Sequence, residues 1–274
     1  MGTVTTAHPK DQPWLESGRP TKDGLLWGKV FMKPLITPTP NVLEIWYEPG
    51  WNSLRHSHPM DEIFYMLDGK LWVNGYELDA GSVAFVPKNT MYGPEYTMEE
   101  GAHFWRVEMW DSEHPYEGGP SAPMVAGVHN LRVWEGALQP NGAPEAKTPD
   151  PAVPPPEQSK EGVVGALVGH ASQAPWTEIT DDGTEPGTVF FKRLLSPNPE
   201  VVETWRAPGR SGTPLTHADD KLFCVIDGEL GLQGQLAPAG SVVFVPKGTE
   251  CQPEAKGPNG VRCLEVTLLD SATK

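Results

Sequence analysis

Three residues of the chain have the type and spacing of a metal-binding set. His56 and His58 stand two apart, and Glu62 follows across a short Pro-containing turn. Residues at i and i+2 of a strand share a face, so the two imidazoles project together. Glu62 opens the next apolar stretch, where it shares a face with Phe64 and Met66. Two neutral imidazoles and one carboxylate on neighbouring strands can converge on a divalent cation and leave coordination positions open. The set suits Fe(II), Mn(II), Ni(II) or Zn(II), acting as a Lewis acid or by binding O2.

The elements that must position these residues are strands. Of 274 residues, 29 are Gly and 30 are Pro, and both disfavour helix interiors. Disorder is excluded by 38% hydrophobic residues and ten Trp, enough for a core. A net charge of −15 argues against nucleic-acid and anionic-membrane partners. No run of 18 apolar residues is present, so no membrane-spanning helix is expected. The polar N-terminus and the odd set Cys224, Cys251 and Cys263 predict a reduced, cytoplasmic protein without a disulfide framework.

The chain also repeats itself. Trp46-Tyr47-Glu48-Pro49-Gly50 matches Trp205-Arg206-Ala207-Pro208-Gly209, and Ala80–Lys88 matches Ala239–Lys247, both at an offset of 159. So long a period indicates a duplicated domain. Each copy holds short apolar runs such as Val42–Tyr47, Ile63–Leu67, Leu71–Val73, Val83–Val86 and Phe104–Met109. Asp68-Gly69 and Asn74-Gly75 read as hairpin dipeptides between them. The expected class is all-β, with units at 1–137 and 163–274 and a Pro-rich linker at 138–162.

Gly50, His56, His58, Glu62 and Gly69 form the pattern G-x5-H-x-H-x3-E-x6-G, which resembles the first cupin motif. The second motif of that family is present as Gly81, Pro87 and Asn89, with Tyr92 where the last histidine ligand usually stands. The resemblance covers both copies and implies two tandem cupin barrels, that is, double-stranded β-helices or jelly rolls. His103 is a candidate for the missing ligand, because it alternates with Trp105, Val107 and Met109 on a face read as inward. Tyr92 is the other candidate, as ligand or as a phenol acting in acid/base chemistry. Trp51, Phe64, Met66, Phe85, Tyr92 and Trp105 are candidate lining residues of an apolar pocket for a small molecule.

The second copy serves as an internal control. At the same offset His56 becomes Leu215, His58 becomes His217, Glu62 becomes Lys221, Tyr92 becomes Cys251 and His103 becomes Arg262. A protonated amine cannot ligate a metal, so this copy is expected to be metal-free. A structural role is expected for it, with an anion pocket of Lys221, Arg262 and His217 as the alternative. The leading functional expectation is a non-haem Fe(II) dioxygenase acting on a small hydrophobic, aromatic or diketone-like compound. The alternatives are a Mn- or Zn-dependent lyase or isomerase and a non-enzymatic metal- or ligand-binding bicupin. Pairing of two chains as a homodimer is a further expectation.

Overall fold

The computed structural model describes residues 3–16, 26–37, 40–109, 132–133, 135–138, 144, 166–180, 185, 187–212 and 214–268. Among these, regular structure is strand apart from one 3-10 turn at Pro9–Asp11. The chain divides into two compact units, Gln12–Val168, and Met1–Asp11 together with Gly169–Lys274. The N-terminal segment therefore departs from the expected boundary. Strand Thr5–Ala7 pairs antiparallel with Val242–Phe244, and Val4 enters the hydrophobic core of that unit. Apart from Leu138 and Pro144, the expected linker lies outside the described residues.

In the first unit the sheet order runs Leu15–Glu16, Val30–Ile36, Asn41–Tyr47, Glu95–Met109, Asp61–Val73, Ser82–Val86. Alternate residues turn Val30, Met32, Leu43, Ile45, Tyr47, Phe64 and Phe104 into one buried cluster. On the opposite face Trp14, Phe31 and Trp46 form a second cluster, so Asn41–Tyr47 is buried on both sides. The second unit repeats the order with Val189–Leu195, Glu200–Arg206, Val261–Leu268, Asp220–Leu232 and Val242–Val245. Cys224, Cys251 and Cys263 are free and buried there.

The Asn74-Gly75 turn is where the sequence places it, with positive φ at both residues (54° and 80°) joining Val73 to its partner Tyr76. Asp68-Gly69 behaves differently. It lies inside the continuous strand Asp61–Val73, where pairing passes from Phe104↔Met66 to His103↔Asp68 and leaves Leu67 as an extra residue. This bulge lets Glu62, Phe64 and Met66 share the interior with Leu71 and Val73 despite the change of parity. Gly69 has φ +71°, and a Cβ there would sit 2.4 Å from the Gly101 carbonyl oxygen. Gly228 repeats the arrangement at φ +81°, 2.1 Å from the Gly260 oxygen.

Gly69→Ala should therefore lower unfolding free energy by about 1–3 kcal/mol, through backbone collision added to the left-handed conformation. Gly234→Ala, at φ +77° with nothing within 4 Å, should cost about 1 kcal/mol or less. Equal losses in urea titrations of the two variants would contradict the close-approach account.

Candidate metal centre

The two histidines are held by main-chain bonds from the second motif. His56 and Tyr92 form an isolated antiparallel bridge and exchange both N–H···O bonds at 2.9 Å. The His58 carbonyl accepts the Asn89 N–H at 2.7 Å, with Asn89 in the left-handed region at φ 59°. The Lys88 N–H donates to Asp61 Oδ1 at 2.7 Å, which fixes the turn against the start of the Glu62 strand. The Pro87-Lys88-Asn89 turn thus clamps the loop that carries the histidines.

Inside this frame the donors come as two pairs. His58 Nε2 lies 3.9 Å from Glu62 Oε2, and His56 Nε2 lies 3.6 Å from Glu95 Oε2. The two imidazole rings stand edge to face with centroids 4.8 Å apart. Among the described residues no three His, Cys, Asp or Glu side chains are closed up as a finished metal site. The donors nevertheless have the character of ligands. His56 places Nδ1 2.8 Å from the Leu54 carbonyl, which orients the ring with Nε2 toward Glu95. Both ring nitrogens of buried His58, Glu62 Oε1 and Glu95 Oε1 are buried without a hydrogen-bond partner. Each such atom costs about 1–3 kcal/mol unless something satisfies it.

The electrostatics follow from burial. Desolvation, with help from Arg106 and His56, pushes the His58 pKa down to about 2, so the imidazole is neutral and its lone pair is available. Burial raises the pKa of Glu62, opposed by Arg106, the Tyr92 hydrogen bond and His56. Burial also raises that of Glu95, opposed first by His56. Tyr92 donates its phenolic O–H to Glu62 Oε2 at 2.9 Å. Desolvation and the neighbouring Glu62 charge push the Tyr92 pKa well above its ordinary value, so the phenol keeps its proton and serves as a donor.

Beneath Glu62 lies Arg106, with Nε 3.6 Å from Glu62 Oε1 and Nη2 bonded to Glu108. Asn41 Nδ2 donates to the other Glu108 oxygen at 2.6 Å. Glu62 and Glu108 thus flank one guanidinium, and the third buried carboxylate, Glu95, is within its electrostatic reach.

Glu95, Arg106 and Glu108 are absent from the sequence-based candidates. Arg106 and Glu108 alternate with Phe104, and two charges on one face of an apolar strand are a usable sign of a buried pair. Glu95 carries no such sign; only the fold brings it to His56.

The structure also corrects three expectations. His103 is not beside His56 and His58. Ala102 and Phe104 belong to the interior cluster, so His103 faces the opposite side, where its Nε2 meets Glu44 Oε1 at 2.8 Å. Trp105 shares that outer face and stacks on Tyr65 with centroids 5.9 Å apart. Phe85 lies between Ala84 and Val86, which both enter the interior cluster, and so points away from it. Both faces of these strands are apolar, and alternation alone could not choose between them. Trp51, Phe64, Met66 and Tyr92 are inside, but as packed core: Trp51 stacks on Tyr47 at 3.7 Å, and Phe64 meets Tyr92 and Phe104.

The second barrel keeps the clamp and reverses the charges. Lys247 N–H to Asp220 Oδ1 is again 2.7 Å, and the His217 carbonyl accepts Gly248 N–H at 2.9 Å. At the site of Glu62 stands Lys221, bonded to Thr267 at 2.5 Å. At the site of Arg106 stands Glu265, which accepts Arg206 and Thr204 at 2.8 Å each and whose pKa is lowered chiefly by Arg206 against burial. Arg262 is exposed and 3.6 Å from Glu203, on the other face from Lys221, so the anion pocket with Lys221 and His217 is not assembled.

No family model matches the chain, and no curated protein matches it by sequence. Solved structures do. A protein from Nostoc punctiforme with a provisional dioxygenase assignment superimposes with TM-score 0.62 at 12% identity, over 99% of this chain and 84% of its own. A provisionally named glyoxylate-induced protein from Pseudomonas aeruginosa gives 0.61 at 13% identity, over 97% and 89%. Oxalate decarboxylase from Bacillus subtilis gives 0.60 at 15% identity, over 97% and 77%. These are cupin-fold proteins, and the chain has the bicupin fold.

A pH dependence follows from His58. The unfolded chain protonates this residue near its ordinary value of 6.5, while the fold keeps it neutral down to about 2. Between those values the unfolded state holds more protons, so this residue's contribution makes stability rise with pH. In metal-free protein, His58→Gln should remove up to about 1.4 kcal/mol per pH unit of slope between pH 4 and 6. Identical slopes for the two proteins would show that His58 is not held neutral.

Proposed function

We propose that the first barrel is a divalent-metal enzyme acting on a small organic molecule, with His56, His58, Glu62 and Glu95 as the metal-holding residues. The observation that carries this reading is a charge imbalance. Among the described residues Glu62, Glu95 and Glu108 have one guanidinium, Arg106, near them, and full ionisation leaves two negative charges that a divalent ion would balance. The second barrel has the opposite excess, with Lys221 and Arg206 around Glu265, which repels a cation. Two carboxylates beside two imidazoles suit Fe(II) or Mn(II) better than the soft-ligand metals. Bound there, such an ion supplies a Lewis-acid centre or a site for O2.

The chain's own residues supply the rest. Burial keeps His58 unprotonated, Arg106 is fixed from behind by Glu108, itself held by Asn41, and Tyr92 orients Glu62 by donating to it. Because the interior is packed, a substrate approaches from the His56 end, where that side chain is 28% exposed. Exposed Leu54 and Met91 flank the His56–Tyr92 bridge and offer an apolar rim. That rim supports oxidation of a small hydrophobic, phenolic or diketone-like compound by O2, the reaction class we favour. The provisional dioxygenase assignment of one structural neighbour agrees with it. A second reading, cleavage of a small carboxylic acid, is favoured by exposed Arg55 beside His56. The oxalate decarboxylase likeness is consistent with that alternative.

Metal analysis of anaerobically purified protein should find about one Fe or Mn per chain, lost in His56→Ala and retained in His217→Ala. Metal retention by His56→Ala would refute the ligand assignment. Oxygen uptake by the Fe(II)-loaded protein over a panel of phenols and diketones tests the reaction class. Turnover of a carboxylic acid without oxygen consumption would replace the favoured reading with the second.

Because burial raises the pKa of Glu62 and of Glu95, protons compete with the ion for these carboxylates, and metal affinity should fall as pH is lowered. Titration calorimetry over a series of pH values measures that dependence. An affinity that does not change with pH would contradict the assignment of these carboxylates as ligands.

A further inference from the structure

The outer face of the sheet is duplicated as faithfully as the inner one. In the first unit Trp14, Phe31 and Trp46 form a closed cluster, Lys33 Nζ stands 4.4 Å over Trp14, and Glu44 pairs with His103. The register gives each a counterpart. Leu15↔Met32 corresponds to Thr177↔Phe191, so Trp176 occupies the place of Trp14. Lys192 Nζ stands 4.6 Å over Trp176, Phe190 and Trp205 lie 5.9 Å apart, and Arg262 approaches Glu203.

The two sets differ in closure. Trp14 is 4% exposed, whereas Trp176 is 43% exposed. Between Trp176, Phe190 and Trp205 the second unit opens a cleft of about 510 Å³, edged by Asp227, Asn259 and Arg262. Gly260 lines it, and a Cβ at Gly260 would lie 2.2 Å from the Arg206 carbonyl oxygen. The same framework that is packed shut in one copy is a lined recess in the other.

We propose that this cleft binds a neutral saccharide. Three aromatic rings line the cleft, while a carboxylate, an amide and a guanidinium at the edge can pair with hydroxyl groups. The charges around it cancel. The lining carries one acid, Asp227, and one base, Arg262, which is itself matched by Glu203 at 3.6 Å. An anion meets Asp227, and a cation finds Lys192 already over the Trp176 face. A sugar ring, with a C–H face and a rim of hydroxyls, satisfies both the rings and the edge without bringing charge. The site is independent of the metal centre, since every residue in it belongs to the second unit.

Ligand-observed saturation-transfer NMR with D-glucose, D-galactose, D-mannose and cellobiose tests the proposal on the full chain. At least one sugar should give saturable binding at millimolar concentration, weakened tenfold or more by Trp176→Ala and by Asn259→Ala, with metal content unchanged. Absence of saturable binding for all four sugars would overturn it. So would binding that survives Trp176→Ala, or benzoate displacing the sugar. Sedimentation that shows Trp176→Ala dissolving a dimer would assign the cleft to a second copy of the chain and likewise overturn it.

Discussion

A carboxylate without access to solvent is among the most expensive groups a fold can hold, and Glu62 is 0% exposed. Its surroundings answer that cost from several sides. Arg106 lies beneath it, the Tyr92 hydroxyl donates to it, and His58 stands beside it as a neutral base. Arg106 must in turn be held, which explains the Glu108–Asn41 arrangement behind it. Breaking a buried pair of this kind costs about 3–5 kcal/mol, because one charge is left uncompensated. The barrel interior therefore holds more buried carboxylates than guanidinium groups, and this excess is what the proposed divalent cation would balance.

Duplication isolates that investment from the needs of folding. Both barrels keep the aspartate that accepts a turn N–H, the left-handed residue that bonds a histidine carbonyl, and the glycine bulge in the long strand. The polar interior differs by sign: Glu62 over Arg106 in one barrel, Lys221 near Glu265 in the other. Either polarity is compatible with the same backbone. The ligand set is thus an addition to the scaffold rather than a part of it. The second barrel, with Lys221 in place of Glu62, has an open outer face where the first is closed.

Much of this was legible in the sequence. The Gly and Pro content, the offset of 159 and the His-x-His-x3-Glu spacing lead to two β-barrels and to the first-barrel histidines and Glu62. What stayed hidden depended on parity and on chain crossing. The bulge at Leu67 changes which residues face inward, so Asp68-Gly69 imitates a hairpin turn. Strand Glu95–Met109 is apolar on both faces, so alternation of apolar residues alone did not choose between the His103 face and the Arg106 face as the inward one. Glu95 reaches His56 only because two segments distant in sequence meet at the barrel mouth. The N-terminal strand's allegiance to the second unit is likewise a property of edge pairing, which leaves no periodic trace.

The central claim is that one barrel interior, and not the other, is built for a divalent cation. Anomalous diffraction at the iron and manganese edges, from crystals grown with metal-loaded protein, tests it most directly. The account predicts a single peak per chain among His56, His58, Glu62 and Glu95. A peak beside His217 and Lys221, a peak at His103, or an empty first barrel in fully loaded protein would contradict it.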